Sequence, residues 1–224
     1  MEQFLDQFFN VTVLVKYTPA ILSGLGVTVV LSLLIVVVGV GVGTALACLR
    51  AYRIRPISFA IVIFADIFRA LPPLVLILLA FFGLPNVGVV MSSFTVLFLI
   101  LTLVLAAFAE EIVWAGITAT PKGQWEAARS TGLGYTQTLG YVVLPQAVRM
   151  VIPPLTNRAI AITKMTALGM VIGVPDILGE ATTAQSFSAN ASPLTLAAIA
   201  YVLLFLPLVV FSRWLEMRFA HPKV

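Results

Sequence analysis

Charged residues are scarce in this sequence: they make up 10% of its 224 residues, while hydrophobic residues make up 61%. Soluble globular domains carry about 25% charged residues, so a soluble fold could not hide this much apolar surface. The shortage of charge excludes a soluble protein and predicts an all-α integral membrane protein with lipid as its solvent. The excess of Lys and Arg over Asp and Glu does not indicate nucleic acid, because in a membrane protein the distribution of cations matters more than their sum.

Cysteine and histidine are almost lacking, since Cys48 and His221 are the single examples. One cysteine in an apolar segment excludes a disulfide framework and a metal cluster, and His221 near the C-terminus has no predicted role. The sequence also lacks the GxxxxGK[ST] pattern with which a P-loop cradles phosphates. We therefore predict that the chain itself binds no cofactor and no metal, and that any nucleotide is held by a partner.

Long apolar runs are what the sequence does contain, and each of five is close to the ~20 residues that cross a bilayer. They predict one membrane domain, residues 1–224, with spans at about 21–49, 57–84, 88–116, 148–174 and 193–217. Proline pairs at 72–73 and 153–154 predict interruptions of the second and fourth spans. Such breaks survive in lipid only where the freed backbone groups are buried in protein or line a cavity, so they indicate a pathway.

The cations are distributed unequally between the predicted loops. If the N-terminus is outside, only Lys16 falls outside, and nine cations fall inside, namely Arg50, Arg53, Arg55, Lys122, Arg129, Arg149, Arg213, Arg218 and Lys223. Because short cytoplasmic loops carry the excess of Lys and Arg, we predict an outside N-terminus and a cytoplasmic C-terminus. Asp176 and Glu180 are then expected in an outer loop, which is either merely solvated or helps to receive a binding protein.

One stretch of mixed polarity interrupts the apolar sequence, in a loop at about 118–147 that is predicted to be cytoplasmic. Thr120 and Pro121 are typical of a helix start, KGQWEAARST predicts a short helix, and Gly132 and Gly134 predict its end. A helix this short is not stable alone and usually docks another protein. The alternative is a loop that packs beneath its own helical bundle.

Six charged residues fall inside the predicted spans and away from their ends, namely Asp66, Arg69, Glu110, Glu111, Arg158 and Lys164. A charged Asp, Lys or Arg at a helix centre costs about 2.5 to 3.5 kcal/mol on insertion scales. Asp66 and Arg69 are three residues apart and are expected to neutralise each other. Glu110 and Glu111 point about 100° apart on a helix, so they cannot share one site, and at least one should face a pore or a cation such as Lys164.

A second polar stripe is predicted on the fourth span. Arg158 and Lys164 are expected to share it with Asn157 and Thr166. Because polar residues inside a membrane usually face the bundle interior or water, this stripe predicts a subunit interface or a transport pathway.

The mixed-polarity stretch resembles the EAA motif of bacterial ABC importer permeases. EAA is followed by three residues, a glycine, nine residues and VVLP, so the match covers Glu126, Ala127, Ala128, Gly132, Val142, Leu144 and Pro145. In that family the segment forms a coupling helix that sits in a groove of the ATPase subunit. The resemblance implies close contact at Ala127, Ala128 and Gly132 and a polar latch at Glu126, with Leu144 and Pro145 in the same coupling site.

Residues 121–168 are similar to the polar amino acid branch of these permeases, and residues 68–85 resemble its Arg-Gly-Thr-Pro stretch, with Arg69 and Pro72 retained. The resemblance covers nearly the whole chain and implies the five-helix fold of a type I importer in a bacterial inner membrane, surrounded by lipid. It implies a second permease copy or a paralogue, two ATPase subunits that hold ATP and Mg²⁺, and an extracytoplasmic binding protein. The implied cargo is a polar amino acid or a related small solute, and the chain itself is expected to catalyse no reaction.

Two departures from the family pattern fall where a substrate would pass. Trp114 stands where an Arg usually follows the matching Glu111, and KMTAL stands where Lys-Asp-Thr-Ser-Leu is usual. The predicted substrate pathway comprises Asp66, Arg69, Glu110, Glu111, Trp114, Asn157, Lys164, Met165 and Thr166. Because of these departures, the sequence does not identify the substrate. A cationic, a zwitterionic or a less polar amino acid, or a compatible solute of similar size, all remain possible.

Two other classes of protein are the alternatives to a transport permease. A self-contained channel or secondary transporter would not need a capped docking helix, and it would usually contain two similar halves. An intramembrane enzyme would use Glu110, Glu111 or Asp66 as a general acid or base, but the sequence offers no nucleophile or metal set around them.

Overall fold

Residues 1–219 are described by a computed structural model in which every regular element is helical, so the predicted all-α architecture is confirmed for that part of the chain. His221 and Lys223 lie outside the described residues. The α-helices are α1 (Glu2–Phe9), α2 (Val11–Ala51), α3 (Arg55–Ala70), α4 (Pro73–Gly83), α5 (Ser93–Ala119), α6 (Lys122–Ser130), α7 (Tyr135–Thr138), α8 (Leu144–Lys164), α9 (Ile177–Ser188) and α10 (Ser192–Phe219). Two 3₁₀ segments, Leu84–Val87 and Met165–Ile172, follow α4 and α8, and a π-helical segment, Leu139–Val143, joins α7 to α8.

Four helical segments of the described chain are long and apolar enough to cross a membrane. They are Glu2–Ala51, Ser93–Ala119, Tyr135–Ser188 and Ser192–Phe219. A fifth span results if the bent pair Arg55–Ala70 and Pro73–Val87 counts as one. The second predicted span, at about 57–84, covers this pair.

The predicted interruption at the first proline pair is confirmed. The chain bends by 100° between α3 and the helix that begins at Pro73. Leu71 takes an extended conformation with φ −84° and ψ 136°. The physical reason is steric, because the ring of a proline disfavours the helical conformation of the residue before it.

The predicted interruption at Pro153 and Pro154 is wrong, because both prolines lie inside the continuous helix α8. Proline removes an N–H donor from a helix interior, but membrane helices tolerate this where neighbouring groups satisfy the freed carbonyls. The change of helical form occurs later, at Met165, where the 3₁₀ segment begins. That segment ends at Gly173, which has a left-handed φ of 78°.

The chain divides into two compact units, of which the first comprises Met1–Ile35, Pro72–Leu101 and Ile160–Val209. Its core includes Ile21, Ile177, Ala181 and Ala197. The N-terminal segment is tied to the start of α10, since the Asn10 N–H donates to Ser192 Oγ over 2.9 Å.

Asp176 belongs to the first unit, and its predicted place in a solvated loop is wrong. Its side chain caps α9 by accepting a hydrogen bond from the Gly179 N–H over 2.8 Å. The Tyr201 hydroxyl donates to the same carboxylate over 3.2 Å, and the residue is 0% exposed. A buried polar group needs such partners, so the role of Asp176 is to fix α9 in place.

The second unit comprises Val36–Leu71, Thr102–Ala159 and Val210–Val224. Its core brings together parts of α2, α5 and the α7–α8 region, namely Ala47, Ala51, Val113, Ile117, Leu139, Val143, Ala147 and Val151. Three of these eight residues are alanines, which allow helix backbones in a membrane to approach closely. The assignment of residues 1–224 to a single membrane domain stays a prediction.

Gly43 marks a close approach of α2 to α5 in the second unit. A Cβ atom at this position would lie 2.6 Å from both the Ala106 carbonyl oxygen and the Ala109 Cβ. No neighbouring atom lies within 4 Å of a Cβ built on Gly41, two residues earlier in the same helix. Glycine at position 43 is therefore required by the space between the helices.

We predict that Gly43→Val destabilises the protein by about 1 to 3 kcal/mol, as overpacked cores generally do. Gly41→Val serves as the matched control, because its side chain enters open space. Thermal unfolding of the detergent-solubilised protein, followed by tryptophan fluorescence, measures both variants. Equal unfolding midpoints for the two variants would contradict the close contact of α2 with α5.

Candidate functional sites

Helix α6 lies in the docking segment, which we define as residues 118–147. The helix runs over Lys122–Ser130 with Pro121 as its N-cap, so the predicted capping by Thr120 is wrong. The Thr120 hydroxyl instead donates to the Gly116 carbonyl over 3.1 Å. The predicted end is confirmed, because Gly132 follows with a left-handed φ of 91°, a conformation that glycine adopts without steric strain.

Aromatic contacts hold the docking segment against the carboxyl end of α2. The Tyr135 hydroxyl donates a hydrogen bond to the Ala51 carbonyl, and the Tyr52 hydroxyl donates to Thr136 Oγ1 over 3.1 Å. The rings of Trp125 and Tyr135 lie 5.3 Å apart, so α6 is attached to the same point. From Tyr135 the helical chain continues through the π-helical segment into α8.

The six predicted coupling residues divide between the outer and the inner face of the docking segment. Four are exposed, namely Glu126, Ala127, Gly132 and Pro145. Ala128 is only 7% exposed, and Leu144 packs against the core of the second unit. No other group lies within 4 Å of a Cβ built on Gly132. The outer face therefore offers small side chains and one carboxylate to a neighbour.

A chain of opposite charges lies in the second unit. Arg50 Nη1 lies 3.0 Å from Glu110 Oε1 and 3.7 Å from Glu111 Oε2. Arg69 Nη1 lies 3.1 Å from Glu111 Oε2 and 3.9 Å from Asp66 Oδ1. These five residues form what we call the charged cluster. Its three carboxylates face two guanidinium groups, so the cluster carries net negative charge when every group is ionised.

The two adjacent glutamates have different surroundings, which confirms that they point in different directions. The Glu110 side chain is 0% exposed and its partner Arg50 is 17% exposed. The Glu111 side chain is 42% exposed and the Asp66 side chain is 69% exposed. The buried pair has a structural role, because an isolated charge in a dry interior is unfavourable. Glu111 and Asp66 therefore carry the exposed carboxylates of the charged cluster.

Arg50 was missed as a member of the cluster by sequence reasoning, which placed it in a cytoplasmic loop. It belongs to the last turn of α2 and reaches a carboxylate sixty positions further along the chain. Its guanidinium also lies 4.7 Å from the centre of the Trp114 ring, a favourable cation–π contact. The one available signal was indirect: a buried glutamate requires a cation, and the sequence does not say which.

The other predicted pathway residues, Asn157, Lys164, Met165 and Thr166, lie outside the charged cluster. Asn157 accepts a hydrogen bond from the Ser212 hydroxyl over 2.6 Å and donates another to Glu216. Lys164 lies in the first unit, with its Nζ 5.6 Å from the centre of the Phe205 ring. Thr166 is buried there and donates to the Thr163 carbonyl over 2.9 Å, while Met165 beside it is partly buried. The structure therefore brings Glu110, Glu111 and Trp114 to Arg50, and Arg69 links Asp66 to Glu111.

The aromatic ring of Phe108 extends this charged region. The guanidinium of Arg158 lies 3.9 Å from the ring centre, and that of Arg69 lies 5.7 Å from it. Both cations therefore lie against one ring, beside the accessible carboxylate of Glu111.

Comparison with known proteins gives concordant matches. Residues 38–221 match the family described as binding-protein-dependent transport system inner membrane component. The chain is 36% identical to the probable glutamine ABC transporter permease protein GlnP of Bacillus subtilis (strain 168), over 76% of this chain and 80% of that one. It is 31% identical to the arginine transport system permease protein ArtQ of the same organism, over 89% and 92% of the two chains. A solved crystal structure of an amino acid ABC transporter with histidines shares 34% identity and a TM-score of 0.82, over 91% and 96% of the two chains.

We predict that Arg50→Gln destabilises the protein by about 3 kcal/mol or more, because it leaves the buried Glu110 carboxylate without a counter-ion. The double variant Arg50→Gln with Glu110→Gln should recover most of this loss, since it removes the buried charge as well. Arg69→Gln is the matched control, and its effect should be smaller because its partner Glu111 reaches solvent. Thermal unfolding in detergent measures all three variants. A double variant no more stable than Arg50→Gln would contradict the structural role of the pair.

Proposed function

Because the chain belongs to the family of binding-protein-dependent transport system inner membrane components, we propose that its docking segment is the coupling helix through which a separate ATPase subunit drives transport. The chain is a permease subunit of an ABC importer and a multi-pass protein of the inner membrane. A self-contained channel or secondary transporter and an intramembrane enzyme are not favoured, since neither belongs to this family.

The outward face of the docking segment is the observation that carries this proposal. The alternative was a loop that merely packs beneath its own bundle. Helix α6 does pack inward through Trp125 and Ala128, but Glu126, Ala127 and Gly132 remain exposed beside it. A small, capped and anchored helix that presents a second face of small residues is suited to a groove on another protein.

The mechanism transmits movement rather than performing chemistry on the solute. ATP binding closes two ATPase subunits and draws the coupling helices of two permeases together. Movement of α6 then reaches the membrane by two routes, through the Tyr135 contact with the end of α2 and through the helical continuation into α8. The pathway changes from inward-facing to outward-facing and receives solute from a binding protein. The permease thus has two states, inward-facing and outward-facing. The ATPase subunits and the binding protein each shift the equilibrium toward the state that they bind more tightly.

The proposed orientation places the docking segment in the cytoplasm, where ATP is found. It then puts the N-terminus outside and the C-terminus inside, in agreement with the nine-to-one distribution of cations between the predicted loops. ATP and Mg²⁺ belong to the two ATPase subunits in this assembly, and the second permease is another copy of this chain or a paralogue.

The proposed cargo is a polar amino acid or a related small solute. Relatives of this chain are described as glutamine and arginine permeases, and the charged cluster supports the same class. Its accessible carboxylates, Glu111 and Asp66, suit a positively charged group such as an α-ammonium. We therefore propose that the pathway passes these two side chains, while Glu110 and Arg50 hold their surroundings in shape.

We predict that Gly132→Arg abolishes ATP-driven uptake without unfolding the protein. The new side chain would enter open space on this chain but would block the approach of a partner. Gly132→Asn is the matched control, because asparagine is small and tolerates the left-handed conformation. Uptake into proteoliposomes and co-purification of the ATPase subunit measure the effect. Normal uptake and normal ATPase retention in Gly132→Arg would defeat the docking role.

We predict that Glu111→Gln weakens or redirects uptake and leaves attachment of the ATPase subunit intact. Loss of one charged hydrogen-bond partner should lower the apparent affinity for a cationic group about tenfold. Uptake assays with competing cationic, zwitterionic and neutral amino acids measure the change in preference. Glu2→Gln, an identical change in the exposed helix α1, is the control. Unchanged uptake and preference in Glu111→Gln would remove this residue from the pathway.

A further inference from the structure

A basic cavity lies beside the turn between α2 and α3. Its volume is about 400 Å³, and it is lined by Arg50, Arg53, Arg55, Ser58 and Trp114. None of these five residues belongs to the predicted coupling site, and only Trp114 was assigned to the pathway. The concentration of three guanidinium groups in one cavity indicates an anionic ligand.

Two of the three arginines have no acidic partner. Arg50 is neutralised by Glu110 and Glu111, but Arg53 and Arg55 form no ion pair with any residue in the range 1–219. Ser58 Oγ is buried and has no hydrogen-bond partner among the same residues, although a hydroxyl can donate one hydrogen bond. The cavity therefore offers two unneutralised cations and one unused donor, which is the chemistry that a phosphate group requires.

The backbone at this turn is unusual as well. Arg53 has a positive φ of 57°, a conformation that residues other than glycine seldom adopt. It is one of two non-glycine residues with positive φ in the described chain, the other being Ala189. The Arg53 side chain also lines a second cavity of about 400 Å³, beneath α6. The residue with the unusual backbone conformation, Arg53, is therefore also the arginine that lines both cavities.

Exposed apolar side chains lie next to Arg55 in the sequence, and they indicate which source of phosphate the site suits. Ile54, Ile57 and Phe59 are all exposed, and Phe59 is 68% exposed. They precede and follow Arg55 at the start of α3, which belongs to the bent pair of helices that can cross the membrane. A ligand that contacts both surfaces must carry an anionic head and apolar chains, so free phosphate matches only half of the site.

We propose that this cavity binds the phosphate headgroup of an anionic phospholipid from the cytoplasmic leaflet. Arg53 and Arg55 bind the phosphate oxygens, and the Ser58 hydroxyl donates to one of them. The acyl chains lie along Phe59, which is four residues after Arg55 and therefore on the same side of α3. Basic pockets between helices on the cytoplasmic side are a recognised mode of binding anionic lipid. The location in the cytoplasmic leaflet rests on the orientation given under the proposed function.

The bound lipid would act on the coupling region through the second cavity. Arg53 and Trp114 line both cavities, and the second is also lined by Lys122, Trp125 and Glu126 of α6. A phosphate that holds Arg53 in one position would stiffen the wall against which α6 packs. Anionic lipid should therefore increase ATP-driven uptake.

The test is native mass spectrometry of the transporter released from its membrane in mild detergent, stripped of lipid and titrated with dioleoylphosphatidylglycerol. Each arginine near an anionic headgroup contributes about a fivefold gain in affinity, so the double variant Arg53→Gln with Arg55→Gln should bind this lipid about thirtyfold more weakly. Arg213→Gln, which alters an exposed arginine outside the cavity, should bind like the wild type. Dioleoylphosphatidylcholine should bind weakly to all forms.

Each result of this experiment either supports or overturns the proposal. Equal phosphatidylglycerol binding by the double variant and the wild type would overturn it, and so would complete displacement of the lipid by inorganic phosphate at equal concentration. If the double variant fails to fold, the single variants Arg53→Gln and Arg55→Gln should each bind about fivefold more weakly, and unchanged binding by both would overturn the proposal. The same spectra record whether ATPase subunits remain attached, so failure of the docking proposal is distinguishable from failure of the lipid site.

Discussion

The ion pair between Glu110 and Arg50 is the interaction on which the second unit depends. The carboxylate is fully buried, and a buried charge without its counter-ion is strongly destabilising, so the last turn of α2 is held to α5. Gly43 allows the same two helices to approach closely. The end of α2 fixed in this way then supplies the Ala51 carbonyl that anchors Tyr135 and begins the turn that carries Arg53. The docking segment, the charged cluster and the basic cavity all take their positions from this one contact.

This arrangement connects the proposed coupling site to the proposed pathway through a short set of contacts. The docking segment is attached to the end of α2, where Arg50 contacts Glu110, Glu111 and the Trp114 ring. A displacement of α6 therefore reaches a residue that neutralises two carboxylates. The buried glutamate keeps this region intact, while the exposed one lies on the proposed pathway. Two adjacent residues of α5 can have these separate roles because they point in different directions on the helix.

Local chemistry explains which elements could be predicted and which could not. The break at Pro72 and the helix stop at Gly132 follow from steric limits on a few neighbouring residues, so sequence reasoning found them. The prolines of α8 obey the same local rule, but the helix continues through them, because packing in a membrane can satisfy the carbonyls that proline leaves unpaired. From the sequence, Asp176 was expected in a loop. In the structure its carboxylate accepts hydrogen bonds from the Tyr201 hydroxyl and from the Gly179 N–H at the start of α9. Its environment depends on partners that are distant in the chain.

The amino-acid sequence by itself determined that this protein is a helical membrane protein with a short helix that lies in a polar loop and ends before Gly132, because apolar length and helix stop signals are properties of neighbouring residues. The six charged residues away from the span ends also indicated that charges must be neutralised within the membrane. Only the tertiary structure decided the pairing, joining Glu110 to Arg50 and Glu111 to Arg69. It also decided that Ala128 faces inward while Ala127 faces outward. The reason is that burial and charge neutralisation depend on which helix faces come together in space, and no local sequence rule specifies that.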